Sequence, residues 1–162
     1  MSNTGKPFVN GDIVNPILNQ ARVEQDMLAN AKDGLSTALE WQTEGETFTR
    51  KLSSLRFAAQ NYQSHLERSM AIEEHDGYMD YILEESPQYS KRITSLRKEH
   101  DEFRATMSEI MTKLERLAPT DHVGLQVIRQ DVHALLRNYE AHNRREASLI
   151  QEAVLTDCGA AD

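Results

Sequence analysis

Glu73, His100, His142 and Glu146 stand on helical stripes whose other members are mostly apolar. A carboxylate or imidazole buried on such a stripe costs several kcal/mol unless it is paired or coordinated. Four of them, spread over three stripes, point to one shared polar site. Two imidazoles and two carboxylates form a mixed nitrogen and oxygen donor set that suits iron, zinc or manganese. His142 and Glu146 are an i, i+4 pair, one turn apart on one helix face, and can hold a common ion. Glu73 lies fourteen residues before Pro87 and His100 thirteen after it. Across an antiparallel turn at Pro87, both sit about 20 Å from the turn. A connection centred near Asp121 brings His142 to the height of His100. A His–Glu hydrogen-bonded network without metal would leave the same pattern in sequence, so a metal site and a metal-free network stand side by side.

The remaining reactive side chains carry less. His65 lies beside the second stripe, one turn before Ser69. His75 belongs to the charged run Glu73-Glu74-His75-Asp76 and is expected in solvent, while His122 and His133 lie at the start or off the seam of the last helix. Cys158 is the only cysteine, so no intrachain disulfide can form, and no imidazole is forced close to it. Met79, Met107 and Met111 read as core filler. No Gly-rich phosphate loop, nucleophile elbow or paired-cysteine motif is present. An acid–base enzyme using Glu73 or Glu146 with His142 ranks last, because nothing marks a substrate pocket or an oxyanion site. The expectation is a binding protein, not an enzyme.

The elements that must position the four residues are helices. Asn15-Pro16 reads as a cap with proline in the first turn, opening a helix through Leu18, Ala21, Leu28, Leu35 and Leu39. Residues 1–14 read as a flexible arm and 15–162 as one bundle domain with a short tail. Glu44-Gly45 reads as the first break. Phe48, Leu52, Leu55, Ala59, Tyr62 and Leu66 begin a long second helix whose rhythm continues through Ser69 and Glu73 to Met79, Ile82 and Leu83. Ser86-Pro87 reads as a cap and proline start. The third helix alternates steps of four and three through Tyr89, Ile93, Leu96, His100, Phe103, Met107, Ile110, Leu114 and Leu117: a bundle seam with a histidine in it. Pro119-Thr120-Asp121 ends it and caps a fourth helix with Leu125, Ile128, Val132, Leu135, Tyr139, His142, Glu146, Leu149 and Ala153 on its stripe. Short connections make neighbours antiparallel, so the fold class is all-α, an antiparallel up-down four-helix bundle.

Length and composition agree. A chain of 162 residues fits one domain that buries a core without staples. The net charge of −8 repels a phosphate backbone, which argues against nucleic acid as a partner. No stretch approaches a membrane span or a signal-peptide core, so the expected compartment is the cytoplasm.

Three stretches resemble the hemerythrin-like (HHE cation-binding) domain family. Ser69-Met-Ala-Ile-Glu73-Glu74-His-Asp-Gly77-Tyr78 is similar to its second-helix block, Leu96-Arg-Lys-Glu99-His100-Asp-Glu-Phe103 to its third-helix Glu-His block, and His142-Asn-Arg-Arg-Glu146 through Ala153 to Gly159 to its fourth-helix block and tail. The resemblance implies a four-helix bundle with a non-haem iron site. It places Glu73 at the second-helix carboxylate, His100 at the third-helix imidazole, and His142 and Glu146 at the fourth-helix pair. The chain departs from the pattern at three positions. Ser69 stands where the second helix offers a His, Gln25 stands in place of a first-helix His, and Arg104 takes the place of a second third-helix His. The resemblance therefore implies a single ion, iron or alternatively zinc, with a role in oxygen, nitric oxide or iron sensing or storage. Its other implication is a bundle that has lost its metal and serves as an interaction or scaffold domain, with Arg104 in the ion's charge role.

Overall fold

The structure is a computed structural model, and it describes residues 9–41, 47–75 and 77–159. Five α-helices and one 3-10 turn follow in order: α1 Val9–Glu40, α2 Thr47–Glu74, α3 Tyr78–Glu85, the turn Pro87–Tyr89, α4 Ser90–Arg116 and α5 His122–Gly159. Four are long and α3 has eight residues. The described residues contain no strand.

Side-chain partners fix the directions. Arg56 reaches the carbonyls of Leu114 and Leu117, Glu67 meets Arg104, and Glu74 meets His100, so α2 and α4 run antiparallel. Lys113 with Asp131, Glu99 with His142, and Arg92 with Glu152 give the same sense for α4 and α5. Glu40 bonds Arg129 while Gln25 bonds Tyr139, which closes the bundle between α1 and α5. The expected all-α up-down bundle is the observed fold.

Two departures concern helix limits. α1 starts at Val9, so residues 9–14 continue the helix and Pro16 lies inside it instead of capping it. Pro16 is the eighth residue of α1, so its missing N–H withholds one intrahelical bond from the carbonyl of residue 12. The arm's residues 1–8, the break at Glu44-Gly45, the tail 160–162 and the side chain of Cys158 lie outside the described residues. The expected long second helix is two helices, broken after Glu74. Gly77 explains the break: a Cβ there would stand 2.1 Å from the Ile72 carbonyl oxygen and 2.6 Å from that of Glu73. Only a residue without a side chain lets the chain turn back this tightly on the end of α2. The other punctuation acts as read at Asp121 and only in part at Ser86-Pro87. Asp121 Oδ1 accepts the Gly124 N–H at 2.7 Å and caps α5. Ser86 makes no side-chain cap, and Pro87 opens the 3-10 turn that leads into α4.

The core has two apolar parts. The larger one includes Leu35, Leu55, Tyr62, Met107, Leu114 and Leu135. The smaller one packs α3 with Ile93, Leu96, Leu149 and Ala153. Along α2 and α3 the change falls between Met70 and Tyr78, along α4 between Phe103 and Leu96, and along α5 between Tyr139 and Leu149. Glu73, His100, His142 and Glu146 occupy those gaps. No described helix is long and apolar enough to cross a membrane.

Candidate metal centre

The four residues meet. Each of Glu73, His100, His142 and Glu146 offers one donor atom, and these atoms all lie within 4.8 Å of one another. All four are buried: the two histidines at 0%, Glu73 at 3% and Glu146 at 5% exposure. His100 Nε2 and His142 Nε2 face each other at 2.9 Å. Glu73 Oε2 stands 3.3 Å from His100 Nε2, and Glu146 Oε1 stands 3.2 Å from His142 Nε2 and 3.6 Å from His100 Nε2. Ligands at 2.0–2.2 Å around one tetrahedral ion are separated by about 3.3–3.6 Å. The three carboxylate–imidazole separations, 3.2, 3.3 and 3.6 Å, lie close to that spacing, and the two Nε2 atoms stand nearer to each other than an ion between them would allow.

The outer ring of contacts explains why both imidazoles present Nε2. His100 Nδ1–H donates to Glu74 Oε1 at 2.7 Å, and His142 Nδ1–H donates to Glu99 Oε2 at 2.6 Å. A carboxylate behind each ring fixes its tautomer and turns the other nitrogen inward, as around metal-bound histidines. Two inward lone pairs at 2.9 Å repel unless something positive lies between them. Without an ion that role falls to a proton on His100. Burial opposes a charged His100, but the surrounding carboxylates of Glu146, Glu73 and Glu74 outweigh it and carry its pKa up to about 10.

The two inner carboxylates differ. Burial favours a proton on Glu146, yet His100, His142 and Tyr78 hold it down to about 2. Tyr78 OH donates to Glu146 Oε1 at 2.5 Å. Burial raises Glu73 to about 7; His100 and Gln25 pull it down and the charge of Glu146 pushes it up. Glu73 Oε2 is a buried oxygen with no hydrogen-bond partner. An orphaned carboxylate oxygen beside two inward imidazole nitrogens is the chemistry a cation completes. The residues present fit one ion.

On the side of Glu73 away from Oε2 the site is neutral. Gln25 Nε2 lies 3.0 Å from Glu73 Oε1, 3.1 Å from Ser69 Oγ and 3.2 Å from Tyr139 OH. Gln25 and Ser69, which stand where imidazoles were expected from the resemblance, thus bind Glu73 and Tyr139. Arg104 stays out of the cluster. Its guanidinium bonds Glu74, Glu67 and Asp101, one layer outside His100. Of the other histidines, His65 Nδ1 pairs with the buried Glu24 at 3.0 Å, His133 lies 3.4 Å from Glu40, the ring of His122 meets Phe48, and His75 is exposed.

Sequence reading missed Glu74, Glu99 and Tyr78 as parts of the site. All three stand next to a residue that carried a signal, in Glu73-Glu74, Glu99-His100 and Gly77-Tyr78. Adjacent helical residues point about 100° apart, so stripe analysis assigns such neighbours to other faces. A model of the family described as Hemerythrin HHE cation binding domain matches residues 20–154. No curated protein and no solved structure matches the chain.

Proposed function

The chain belongs to the hemerythrin HHE cation-binding family, and from that premise we propose that it binds one non-haem metal ion, iron foremost and zinc as the alternative, through Glu73, His100, His142 and Glu146. One observation carries the reading. Two imidazole Nε2 atoms converge at 2.9 Å, each turned inward by a carboxylate on its Nδ1, beside an orphaned carboxylate oxygen. The neutral Gln25, Ser69 and Tyr139 group supports one ion over two, since it offers no further imidazole.

Bound iron in its reduced form would supply a centre for dioxygen or nitric oxide, and the role we assign is sensing or storage of oxygen, nitric oxide or iron in the cytoplasm. The chain's own residues hold and tune the ion. His100 and His142 supply neutral nitrogen donors, Glu146 supplies charge, Glu73 supplies the oxygen whose proton an ion must displace, and Tyr78 occupies one face of Glu146. Phe103 and Tyr139 wall the His142 ring. These contacts supply binding and shielding from water, and the reading is of a binding protein and not of a catalyst.

Metal analysis of protein purified without chelator, and again after anaerobic loading with ferrous iron, tests this. About one ion per chain is expected, and His142→Ala should lose it. Wild-type protein that stays metal-free after loading would sink the reading in favour of a bundle held by its own His–Glu network.

A further inference from the structure

Behind each inner imidazole stands a carboxylate, and behind each carboxylate an arginine. Arg104 grips Glu74 with both ends of its fork, Nη1 to Oε1 at 3.1 Å and Nη2 to Oε2 at 2.9 Å, and is itself tied to Glu67 and Asp101. Arg145 gives Glu99 a single bond at 2.7 Å, to the same oxygen that accepts from His142 Nδ1. Exposure follows the same order. The side chains of Arg104 and Glu74 are 29% and 12% exposed, those of Arg145 and Glu99 54% and 21%.

The surroundings of the two arms differ as well. A groove of about 440 Å³ between α4 and α5 is lined at one end by Glu99, Phe103, Ala141 and Arg145. Phe103 is also edge-on to the His142 ring, with centroids 5.3 Å apart. The Glu74 arm borders a smaller cavity of about 290 Å³, where Arg97 is bonded to Asp80 and to the Glu74 carbonyl oxygen.

We propose that Arg104 and Arg145 are positioning residues for the two imidazoles and that they hold them unequally: the Arg104–Glu74–His100 arm is fixed, while the Arg145–Glu99–His142 arm yields when an ion enters or leaves through the groove between α4 and α5. The proposal rests on the single-ion reading of the cluster. A forked, doubly tied guanidinium must lose several charge-assisted bonds before Glu74 moves. Glu99 needs to lose one bond to a half-exposed side chain. Once Glu99 turns toward the groove, His142 Nδ1–H loses its acceptor, and the ring is held only by Glu146 and by its packing against Phe103 and Tyr139. The arginines touch neither ion nor ligand and act only through the carboxylates.

Two measurements separate this from the metal reading. In metal-free protein, exchange of the imidazole Nδ1 protons is followed by NMR. Arg145→Gln should speed the His142 proton by about tenfold and leave His100 unchanged, Arg104→Gln should do the reverse, and Arg104→Lys should restore only part of the protection. In iron-loaded protein, Arg145→Gln should speed both loading and chelator extraction by about tenfold, and Arg104→Gln should mainly lower affinity, by about tenfold. Extraction that is unchanged in Arg145→Gln, or that is accelerated instead by Arg97→Gln, overturns the route. Nδ1 exchange indifferent to both arginines overturns the positioning. A wild type that never takes up metal removes the route together with the metal reading, while the exchange data still decide whether the arginines hold the rings.

Discussion

Glu73 and Glu146 are two carboxylates in one buried cluster with opposite leanings, and their contrast sets how a metal-free bundle responds to pH. Glu146, held near 2 against an ordinary 4.5, contributes stability that is present above 4.5 and lost as pH falls toward 2. Glu73 works the other way. Its folded pKa near 7 means the folded state holds the proton more tightly, so its contribution is full below 4.5 and is lost as pH rises to 7. His100, raised from 6.5 to about 10, contributes below 6.5 and loses that contribution by about 10. In chelator, urea unfolding should therefore show stability falling between pH 5.5 and 8.5 by on the order of 1–3 kcal/mol, and Glu73→Gln should flatten the lower part of that slope. A flat or rising profile would contradict the proton-held cluster. Loaded protein should behave oppositely in affinity, which rises with pH because the ion displaces protons from Glu73 and His100.

At the scale of the element, the break between α2 and α3 does more than turn the chain. It brings Tyr78 onto Glu146, a contact that a continuous helix through residues 73–83 would not supply. Two glycines make the test. Gly77→Ala forces a Cβ against two backbone carbonyls and should destabilise by about 2–3 kcal/mol, with weaker metal binding as Tyr78 is displaced. Gly34, inside α1, has nothing within 4 Å of its built Cβ, and Gly34→Ala should stabilise by about 0.5–1 kcal/mol. Chemical denaturation of both variants checks the pair. A neutral Gly77→Ala would mean that α2 and α3 can join without cost.

For the whole molecule, the polar cluster interrupts an otherwise apolar core and ties α2, α4 and α5 together at one height. An ion that binds only the folded chain stabilises all of it. At free metal about a hundredfold over Kd the gain is about 2.7 kcal/mol, which raises Tm by about 5–11 °C for a domain of this size. Calorimetry of loaded against chelated protein should show that shift, and His142→Ala should abolish it. Equal melting in both states would leave the bundle to its own hydrogen bonds.

The bundle and the meeting of Glu73, His100, His142 and Glu146 were legible in the sequence, because a helix has a fixed rise and period. Residue counts from Pro87 and Asp121 are then distances, and stripe membership is a direction. Ser69 and Gln25 were legible as departures, though their union with Glu73 and Tyr139 was not. The rest depended on contacts between helices whose rotation no single stripe specifies. Glu74 and Glu99 sit one residue off the seam, and only packing decides that each reaches back to an imidazole on its neighbour. The metal-free alternative put Arg104 in the ion's charge role, and the packing of α2 against α4 keeps it one layer out on Glu74. The break at Gly77 follows from a backbone approach to Ile72 that no periodicity encodes. Sequence alone determined which chemistry shares a level of the bundle. The tertiary structure decided how each group is turned and held, because orientation belongs to the packed pair and not to either helix.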